Sequence, residues 1–383
     1  MPSFSLGCAP RRAVTPEAAL REVCEERALP MRIVGGRDHL DVVVAGRPLR
    51  LQIDTGGNAL GIVVYRSAIT RAGLGDPSSW PRWFEANGRR ITLPTEARWA
   101  SLEDESPEAR ASSVHPFKVR KDEADGQIGA GFLSHFVVCL DAARGRLGLL
   151  EKGAVRIQGD GIPLGMLPDR QTGALYPFVR TSLGALLVDS GPPAGFLENE
   201  RVPPDAAVEP LACGDADTIS GSYRGERMAA FDLAPFGPMV VATRDDGTFV
   251  SIFGRRSDLV PTGAVGNDVL RRHRVLLDYE GARMFLEPAG QPDPSLRAAR
   301  VCVSLEYAED GCPHVTRTDD RSGLRVGDVL VRARGLDLCA ATSEAVIGAL
   351  AGDGVVPIRV RRGGAEVDVL ATGRALFARA PRP

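Results

Sequence analysis

Residues 51–60, LQIDTGGNAL, decide how this chain is interpreted, because residues 186–195, LLVDSGPPAG, repeat their pattern. In each stretch an apolar run ends in an aspartate, a hydroxyl residue and a glycine. The two aspartates, Asp54 and Asp189, lie 135 positions apart. A single Asp-Thr-Gly or Asp-Ser-Gly is typical of a solvated turn, since Asp and Gly both favour turns. Two related copies predict instead an internal repeat, with one aspartate at a strand end in each unit.

A second motif recurs at nearly the same distance. Residues 129–150, GAGFLSHFVVCLDAARGRLGLL, align without a gap with residues 266–287, GNDVLRRHRVLLDYEGARMFLE, at an offset of 137. Two motifs in the same order at matched distances predict two related units. The identical positions are Gly129/Gly266, Leu133/Leu270, Val138/Val275, Leu140/Leu277, Asp141/Asp278, Arg146/Arg283 and Leu149/Leu286.

Both units are predicted to consist mainly of β-strands. Residues 39–54 alternate apolar and polar side chains on either side of Ala45-Gly46, which is a hairpin signal. Asn87-Gly88 marks another turn ahead of a strand-like run. Short strands separated by Gly and Pro, with little helical periodicity, favour two tandem β-barrel lobes. We place lobe 1 at residues 29–152 and lobe 2 at residues 153–290.

The N-terminal segment, residues 1–28, is expected to be a helical preamble in which Thr15 caps a helix that starts at Pro16. It has no apolar signal-peptide core, so the protein is either cytoplasmic or starts downstream of a lost leader and is extracytoplasmic. No apolar segment is long enough for a membrane helix. The formal net charge of −2 provides no basic surface for nucleic acid.

Motifs for metal, nucleotide and acyl-transfer chemistry do not occur in the sequence. The seven cysteines contain no C-x-x-C pair, and the five histidines show no metal-ligand spacing. A G-x-S-x-G elbow and a phosphate-binding loop are missing too. We therefore predict neither a metal nor a cofactor. The cysteines are expected to be isolated thiols, with a Cys302–Cys312 bridge across a hairpin as the alternative.

The two aspartates suit a reaction that needs no such group. Two carboxyl groups held close together cannot both ionise cheaply, so Asp54 and Asp189 would share a proton. One then acts as a general base on a water molecule while the other protonates the substrate carbonyl oxygen. The hydroxyls of Thr55 and Ser190 are placed to bond to the backbone of the opposite lobe and lock the paired loops.

Gly56 and Gly191 follow these hydroxyl residues and let backbone N–H groups approach the carboxyls. At these residues the sequence resembles the aspartic protease family, in which each lobe carries apolar-apolar-Asp-[Thr/Ser]-Gly and a later element ending in Gly. Residues 127–129, QIG, and residues 264–266, AVG, match that later element. The continuations are similar to the bacterial retropepsin-like branch, and the resemblance spans about residues 29–290.

The resemblance implies an aspartic endopeptidase with Asp54 and Asp189 as its catalytic pair and a protein or peptide as its substrate. Some positions depart from the family pattern and favour the alternative, a catalytically inactive scaffold that binds extended peptides. The departures are Gly57-Asn58 after the first motif, Pro192-Pro193 after the second, and Gln127 and Ala264 in the later element. That element threads behind the active-site loop in the family, and Gln127 and Ala264 stand at its apolar position, the threading position.

A flap that closes over the cleft is also implied by the resemblance. In lobe 1 the candidates are the hairpin at Asn87-Gly88 and the segment ending at Trp99, and in lobe 2 the residues around Tyr223. The other two tryptophans, Trp80 and Trp83, lie in the same stretch of lobe 1. Aromatic packing inside the lobe is the favoured interpretation of the three tryptophans.

Beyond a Pro-rich joint the pattern changes. Residues 322–335, SGLRVGDVLVRARG, precede a helix-like stretch and then two strand-like runs around a Gly-Gly turn. This resembles a PDZ domain of the bacterial type, over residues 299–374. PDZ domains bind peptide C-termini by strand addition. Because Glu306, Glu309 and Asp310 would repel an anionic terminus, a brace between domains is the alternative role.

Overall fold

The computed structural model describes residues 11–34, 37–102, 124–192, 195–210, 225–244, 259–289, 300–307, 310–318, 322–341, 343–352 and 354–374. This part of the chain is mainly β. Its α-helices are α1 (Pro16–Arg21), α2 (Arg66–Ala72), α3 (Ala130–Leu133), α4 (Asn267–Leu270) and α5 (Ser343–Leu350). Short 3-10 turns cover Pro77–Ser79, Ala142–Arg144 and Asn199–Arg201. None of these helices is long and apolar enough to span a membrane.

The strands fall into three groups along the chain. The first group is β1 (Arg12–Val14), β2 (Ala28–Val34), β3 (Arg37–Val44), β4 (Arg47–Ile53), β5 (Gly61–Tyr65), β6 (Trp83–Ala86), β7 (Arg89–Thr92), β8 (Arg98–Leu102), β9 (Gly126–Ile128), β10 (Phe136–Asp141) and β11 (Arg146–Glu151). The second group is β12 (Val155–Ile157), β13 (Ile162–Pro163), β14 (Gly165–Pro168), β15 (Leu175–Thr181), β16 (Gly184–Val188), β17 (Gly195–Glu198), β18 (Ala207–Pro210), β19 (Gly225–Leu233), β20 (Gly237–Arg244), β21 (Gly263–Val265), β22 (His273–Asp278) and β23 (Arg283–Pro288). The third group is β24 (Arg300–Val301), β25 (Val303–Tyr307), β26 (Pro313–Thr318), β27 (Val329–Ala333), β28 (Leu336–Asp337), β29 (Gly354–Arg362) and β30 (Ala365–Arg374).

The N-terminal helix forms where the sequence predicts it. The Thr15 side chain accepts a hydrogen bond from a first-turn N–H, and Pro16 starts the helix. The chain continues as a wider helical turn over Glu22–Glu26. Within that turn Cys24 forms a disulfide with Cys139 of β10, which fixes the helix to the sheet.

In each repeated unit a short strand passes between the strand that precedes the aspartate and the strand that follows it. β9 runs parallel to β4 and antiparallel to β5, and β21 runs parallel to β16 and antiparallel to β17. The Asp54 N–H donates to Ile128 O at 3.0 Å, and the Asp189 N–H donates to Val265 O at 3.0 Å. Both aspartates therefore leave their strands at equivalent positions.

The two units meet along the second repeated motif. β10 and β22 pair antiparallel, with Cys139 facing Leu276. These residues are 137 positions apart, which is the offset of the repeat. When equivalent strands pair antiparallel about equivalent residues, a local two-fold axis passes through that pair. The pairing joins strands of both units in one 13-stranded sheet, and β14 to β21 form a separate eight-stranded sheet.

Among the described residues both sheets are open, and neither closes into a barrel. The expected barrel shape is therefore not found in this part of the chain. β8 and β18 remain edge strands. One buried apolar cluster runs through both units and includes Ile53 and Val188, the residues before the aspartates.

The tryptophans mainly pack inside the first unit, in agreement with the favoured interpretation. The rings of Trp80 and Trp99 meet edge to face at 5.4 Å, and Phe84 lies 6.2 Å from Trp99. Both indoles are 7% exposed. Trp83 is half-buried under the guanidinium of Arg90, at 4.0 Å.

The expectation that the cysteines are isolated thiols was wrong. Cys24 is bonded to Cys139 and Cys312 to Cys339. Cys302 is disulfide-bonded as well, and since Cys312 is bonded to Cys339, the Cys302–Cys312 alternative was also wrong. The partners are 115 and 27 positions apart, and such pairings carry no local signal in the sequence.

The last group of strands forms a seven-stranded sheet in the order β24-β30-β29-β27-β26-β25, with β28 beside β27. It has a core of its own, which includes Leu330 of β27 and Val346 of α5. Cys302, between β24 and β25, is buried instead in the apolar cluster of the second unit, with Tyr176 and Phe196. The C-terminal sheet is thus anchored to the second unit.

Candidate active site

The structure brings the two repeated aspartates together. Asp54 follows β4 and Asp189 follows β16, and their carboxyl groups lie close enough for each to shift the pKa of the other. Asp54 is 8% exposed, and Asp189 is partly buried. Ile53 and Val188, which precede the two aspartates, have no exposed surface, so the chain directly before each carboxyl is apolar and buried. This is an environment in which two charges of the same sign are costly.

A reciprocal set of four hydrogen bonds locks the two loops together. The Thr55 hydroxyl donates to Val188 O at 2.7 Å and accepts from the Ser190 N–H at 3.0 Å. The Ser190 hydroxyl donates to Ile53 O at 3.1 Å and accepts from the Thr55 N–H at 3.1 Å. Thr55 and Ser190 have no exposed surface. Each hydroxyl thus bonds to the backbone of the opposite loop, which is the role that the sequence suggested for it.

Glycine is required after each hydroxyl residue because the opposite carboxyl occupies the space of a side chain. A Cβ on Gly56 would lie 2.4 Å from Asp189 Cγ, and a Cβ on Gly191 would lie 2.7 Å from Asp54 Cγ. Contacts this short do not occur between real atoms. Each loop therefore presents its bare backbone to the aspartate of the other unit.

The pKa of each carboxyl is raised, and the two differ in degree. Burial raises the pKa of Asp54 well above its usual range, and the negative charge of Asp189 raises it further. Burial also raises the pKa of Asp189, but the Gly191 N–H bonded to Asp189 Oδ1 at 2.9 Å opposes that rise. The environment therefore favours one proton shared by the pair. The Gly191 N–H on Asp189 Oδ1 stabilises a charge on Asp189, whereas Asp54 Oδ1 is buried without a hydrogen-bond partner among the described residues.

The departures from the family pattern leave both carboxyls held by the backbone. A Cβ on Gly57 would lie 2.2 Å from Asp54 Oδ2, so Gly is the residue that fits there. The Gly57 N–H donates to Asp54 O at 3.3 Å, and the backbone N–H groups of Gly56 and Gly57 lower the pKa of the Asp54 carboxyl against the larger effect of burial. Pro192 has no N–H to offer in the second loop, and Pro193 lies outside the described residues.

Weak apolar character at the threading positions does not prevent β9 and β21 from forming. Ala264 is 1% exposed, and Gln127 is half-buried. Their backbones pair with the strands on both sides in each unit. The backbone hydrogen bonds thus hold these strands in place where the side chains contribute little.

Two buried carboxamides near the dyad had no assigned role in the sequence. The Gln52 side chain donates to Gly191 O at 2.7 Å, and the Asn267 side chain donates to Ser190 O at 2.8 Å. Gln52 did carry a signal, since it is a polar residue in an apolar run and shares a strand face with Asp54. Asn267 carried none.

The flap candidates of the first unit do not cover the dyad. The Asn87-Gly88 hairpin lines an open cavity of about 600 Å³ together with Pro48, near the start of β4. Asp54 follows the other end of β4, roughly 20 Å away at the usual rise of a strand. Trp99 is packed in the core. Tyr223, the candidate of the second unit, lies outside the described residues.

No three His, Cys, Asp or Glu side chains in the described part of the chain form a group that could hold a metal ion. Two carboxyls that share a proton can transfer it to and from a third group. The Gly191 N–H, bonded to Asp189 Oδ1, stabilises negative charge on the pair.

No protein-family model and no curated protein matches this chain. Among solved structures, it is similar to the crystal structure of basic 7S globulin from soybean, with 13% sequence identity and a TM-score of 0.35. That match covers 69% of this chain and 95% of the other. At this level of identity and TM-score the likeness carries no argument about activity. The strand topology and the dyad geometry of this chain carry the interpretation below.

Proposed function

We propose that this protein is an aspartic endopeptidase that hydrolyses peptide bonds between Asp54 and Asp189. The observation that carries the proposal is the pair of interacting carboxyl groups, one from each repeat, locked by the reciprocal bonds of Thr55 and Ser190. In this proposal residues 29–152 and 153–290 are the two lobes of an aspartic protease.

The proposed reaction requires one proton on the pair. The Asp189 carboxylate removes a proton from a water molecule, whose oxygen then forms a bond to the carbonyl carbon of the substrate. Asp54 gives its proton to the carbonyl oxygen in the same step, so a neutral tetrahedral gem-diol forms. Proton transfer to the amide nitrogen then accompanies cleavage of the C–N bond. The Gly191 N–H that donates to Asp189 Oδ1, and the lack of a hydrogen-bond partner for the buried Asp54 Oδ1 in the described part of the chain, support this division of roles.

The competing proposal is a scaffold with the same cleft that binds extended peptides without cutting them. Pro192 favours it, because the second loop has one backbone donor fewer than the first. Two acids that share a proton favour the enzyme, since peptide binding alone gives no reason to hold two carboxyls together.

For residues 299–374 we propose a PDZ-like domain that braces the second lobe. Cys302 supports this role, because its side chain is buried in the second lobe's cluster and is disulfide-bonded. Asp310 lies 3.4 Å from His314 and 3.7 Å from Arg361, so the Arg361 guanidinium is already paired with an acid. Capture of a peptide C-terminus there is the alternative. Glu309 and the side chain of Glu306 lie outside the described part of the structure.

The test is cleavage of an unfolded protein substrate by Asp54→Asn, Asp189→Asn and the wild type. Asp205→Asn is the matched control, since Asp205 is exposed on the second unit. The proposal expects both dyad variants to lose cleavage while they keep the wild-type urea midpoint or exceed it. Retained cleavage by either purified dyad variant would overturn the catalytic assignment. A folded wild type that binds unfolded chains but never cuts them would support the scaffold.

A further inference from the structure

The loop after Asp189 is held by two side chains that come from different units. Gln52 belongs to β4 of the first unit and bonds to Gly191 O, and Asn267 belongs to α4 of the second unit and bonds to Ser190 O. Gln52 is 1% exposed and Asn267 is fully buried. Because each side-chain amide donates to a carbonyl at this depth, each bond is costly to lose.

These bonds act on the peptide group that faces the dyad. Ser190 C=O and Gly191 N–H belong to one planar peptide unit. The Gly191 N–H donates to Asp189 Oδ1 at 2.9 Å. A donor at Ser190 O therefore fixes the direction of that N–H and also polarises it. Gln52 fixes the next peptide unit, so the Gly191 backbone is held on both sides.

The loop after Asp54 has no equivalent pair of side chains. At the offset of 135 the counterpart of Gln52 is Leu187, and at the offset of 137 the counterpart of Asn267 is Ala130. Leu187 and Ala130 are buried apolar residues and cannot donate a hydrogen bond.

A backbone bond that the second loop lacks explains this asymmetry. In the first loop the Gly57 N–H donates to Asp54 O at 3.3 Å and closes the turn locally. The equivalent position in the second loop, at the offset of 135, is Pro192, which has no N–H. The second turn cannot close with a backbone hydrogen bond of its own. The side-chain amides of Gln52 and Asn267 hold it in place instead.

We propose that Gln52 and Asn267 are positioning residues that aim the Gly191 N–H at Asp189 and thereby keep the negative charge of the dyad on Asp189. This inference rests on the proposed endopeptidase. The base of the reaction is then selected by two residues that touch neither the water nor the substrate.

The test uses Gln52→Met and Asn267→Leu, which keep most of the side-chain volume and remove the donor, with Leu187→Met as the matched control. The pH profile of kcat/KM is measured for each variant. Loss of the oriented N–H raises the pKa of Asp189, so the acidic limb is expected to move up by about one pH unit. The control is expected to keep the wild-type profile. Folded variants whose acidic limb superimposes on that of the wild type would overturn the inference.

A carboxyl-carbon NMR titration of Asp189 in the same proteins gives a readout that does not need activity. If the wild type does not cleave, the endopeptidase proposal fails, and the NMR shift of Asp189 between wild type and variants still decides this inference. If the urea midpoint shows that Gln52→Met or Asn267→Leu is unfolded, Gln52→Glu replaces it. The added charge beside the loop is expected to give a larger upward shift, and an unchanged titration would again overturn the inference.

Discussion

Thr55→Val tests how much the lock between the two loops contributes to stability. Val has the shape of Thr but no hydroxyl, so the change removes the bonds to Val188 O and from the Ser190 N–H. These two backbone groups belong to residues with no exposed surface, and both would be left without that partner. An unsatisfied buried group costs about 1–3 kcal/mol, so the pair should cost roughly 4 kcal/mol of unfolding free energy. Because the loops carry the dyad, cleavage should fall by more than tenfold.

Urea unfolding at one pH measures this loss, from the midpoint and slope for the wild type and the variant. Thr70→Val is the matched control, because the exposed Thr70 hydroxyl bonds only within α2, to Arg66 O at 3.0 Å. The control should lie within about 0.5 kcal/mol of the wild type. A loss below about 1 kcal/mol for Thr55→Val, with unchanged cleavage, would refute the locking role of the hydroxyl.

Three further predictions follow from the same geometry. Gly56→Ala should abolish cleavage, because its Cβ would overlap Asp189, whereas Gly75→Ala has no atom within 4 Å of the new Cβ and should behave as the wild type in the same assay. The pKa values of Asp54 and Asp189 are raised in the folded protein, so these groups make their full contribution to stability below pH 3.8, the ordinary pKa of an aspartate. That contribution is lost as the pH rises through the raised pKa values. Asp54→Asn should therefore raise the urea midpoint at pH 7 and not at pH 3, and an equal gain at both would contradict the shift. Alkylation of the unreduced protein followed by mass spectrometry should label one of the seven cysteines. The two described disulfides and the bridge to Cys302 use the other six, so labelling of three or more would contradict the described bridges.

The sequence predicted those features of the site that repeat along the chain. The matched offsets predicted two related units, and equivalent strands of the two repeats, β10 and β22, pair with Cys139 facing Leu276. The apolar-apolar-Asp pattern also placed Asp54 and Asp189 at strand ends, because a buried strand must precede a short loop. These predictions succeeded because the same local pattern occurs twice and each copy constrains the other.

Features that depend on distant partners could not be predicted in this way. The Cys24–Cys139 disulfide joins residues 115 positions apart, and its geometry exists only once the helix lies on the sheet. Asn267 follows a glycine at the start of a short helix, where its sequence context does not indicate that it points at the Ser190 carbonyl. The Asn87-Gly88 turn was recognised as a hairpin, but its place near Pro48 is set by pairing with β3.

The most direct measurement is cleavage of an unfolded protein by the wild type across pH 3–8, with and without a statine-type transition-state inhibitor, beside Asp189→Asn. New peptide termini are detected by mass spectrometry. We expect cleavage by the wild type that the inhibitor and the substitution each abolish. Cleavage that survives both, or a folded wild type that cuts at no pH in this range, would contradict the proposal that Asp54 and Asp189 form the active site of an endopeptidase.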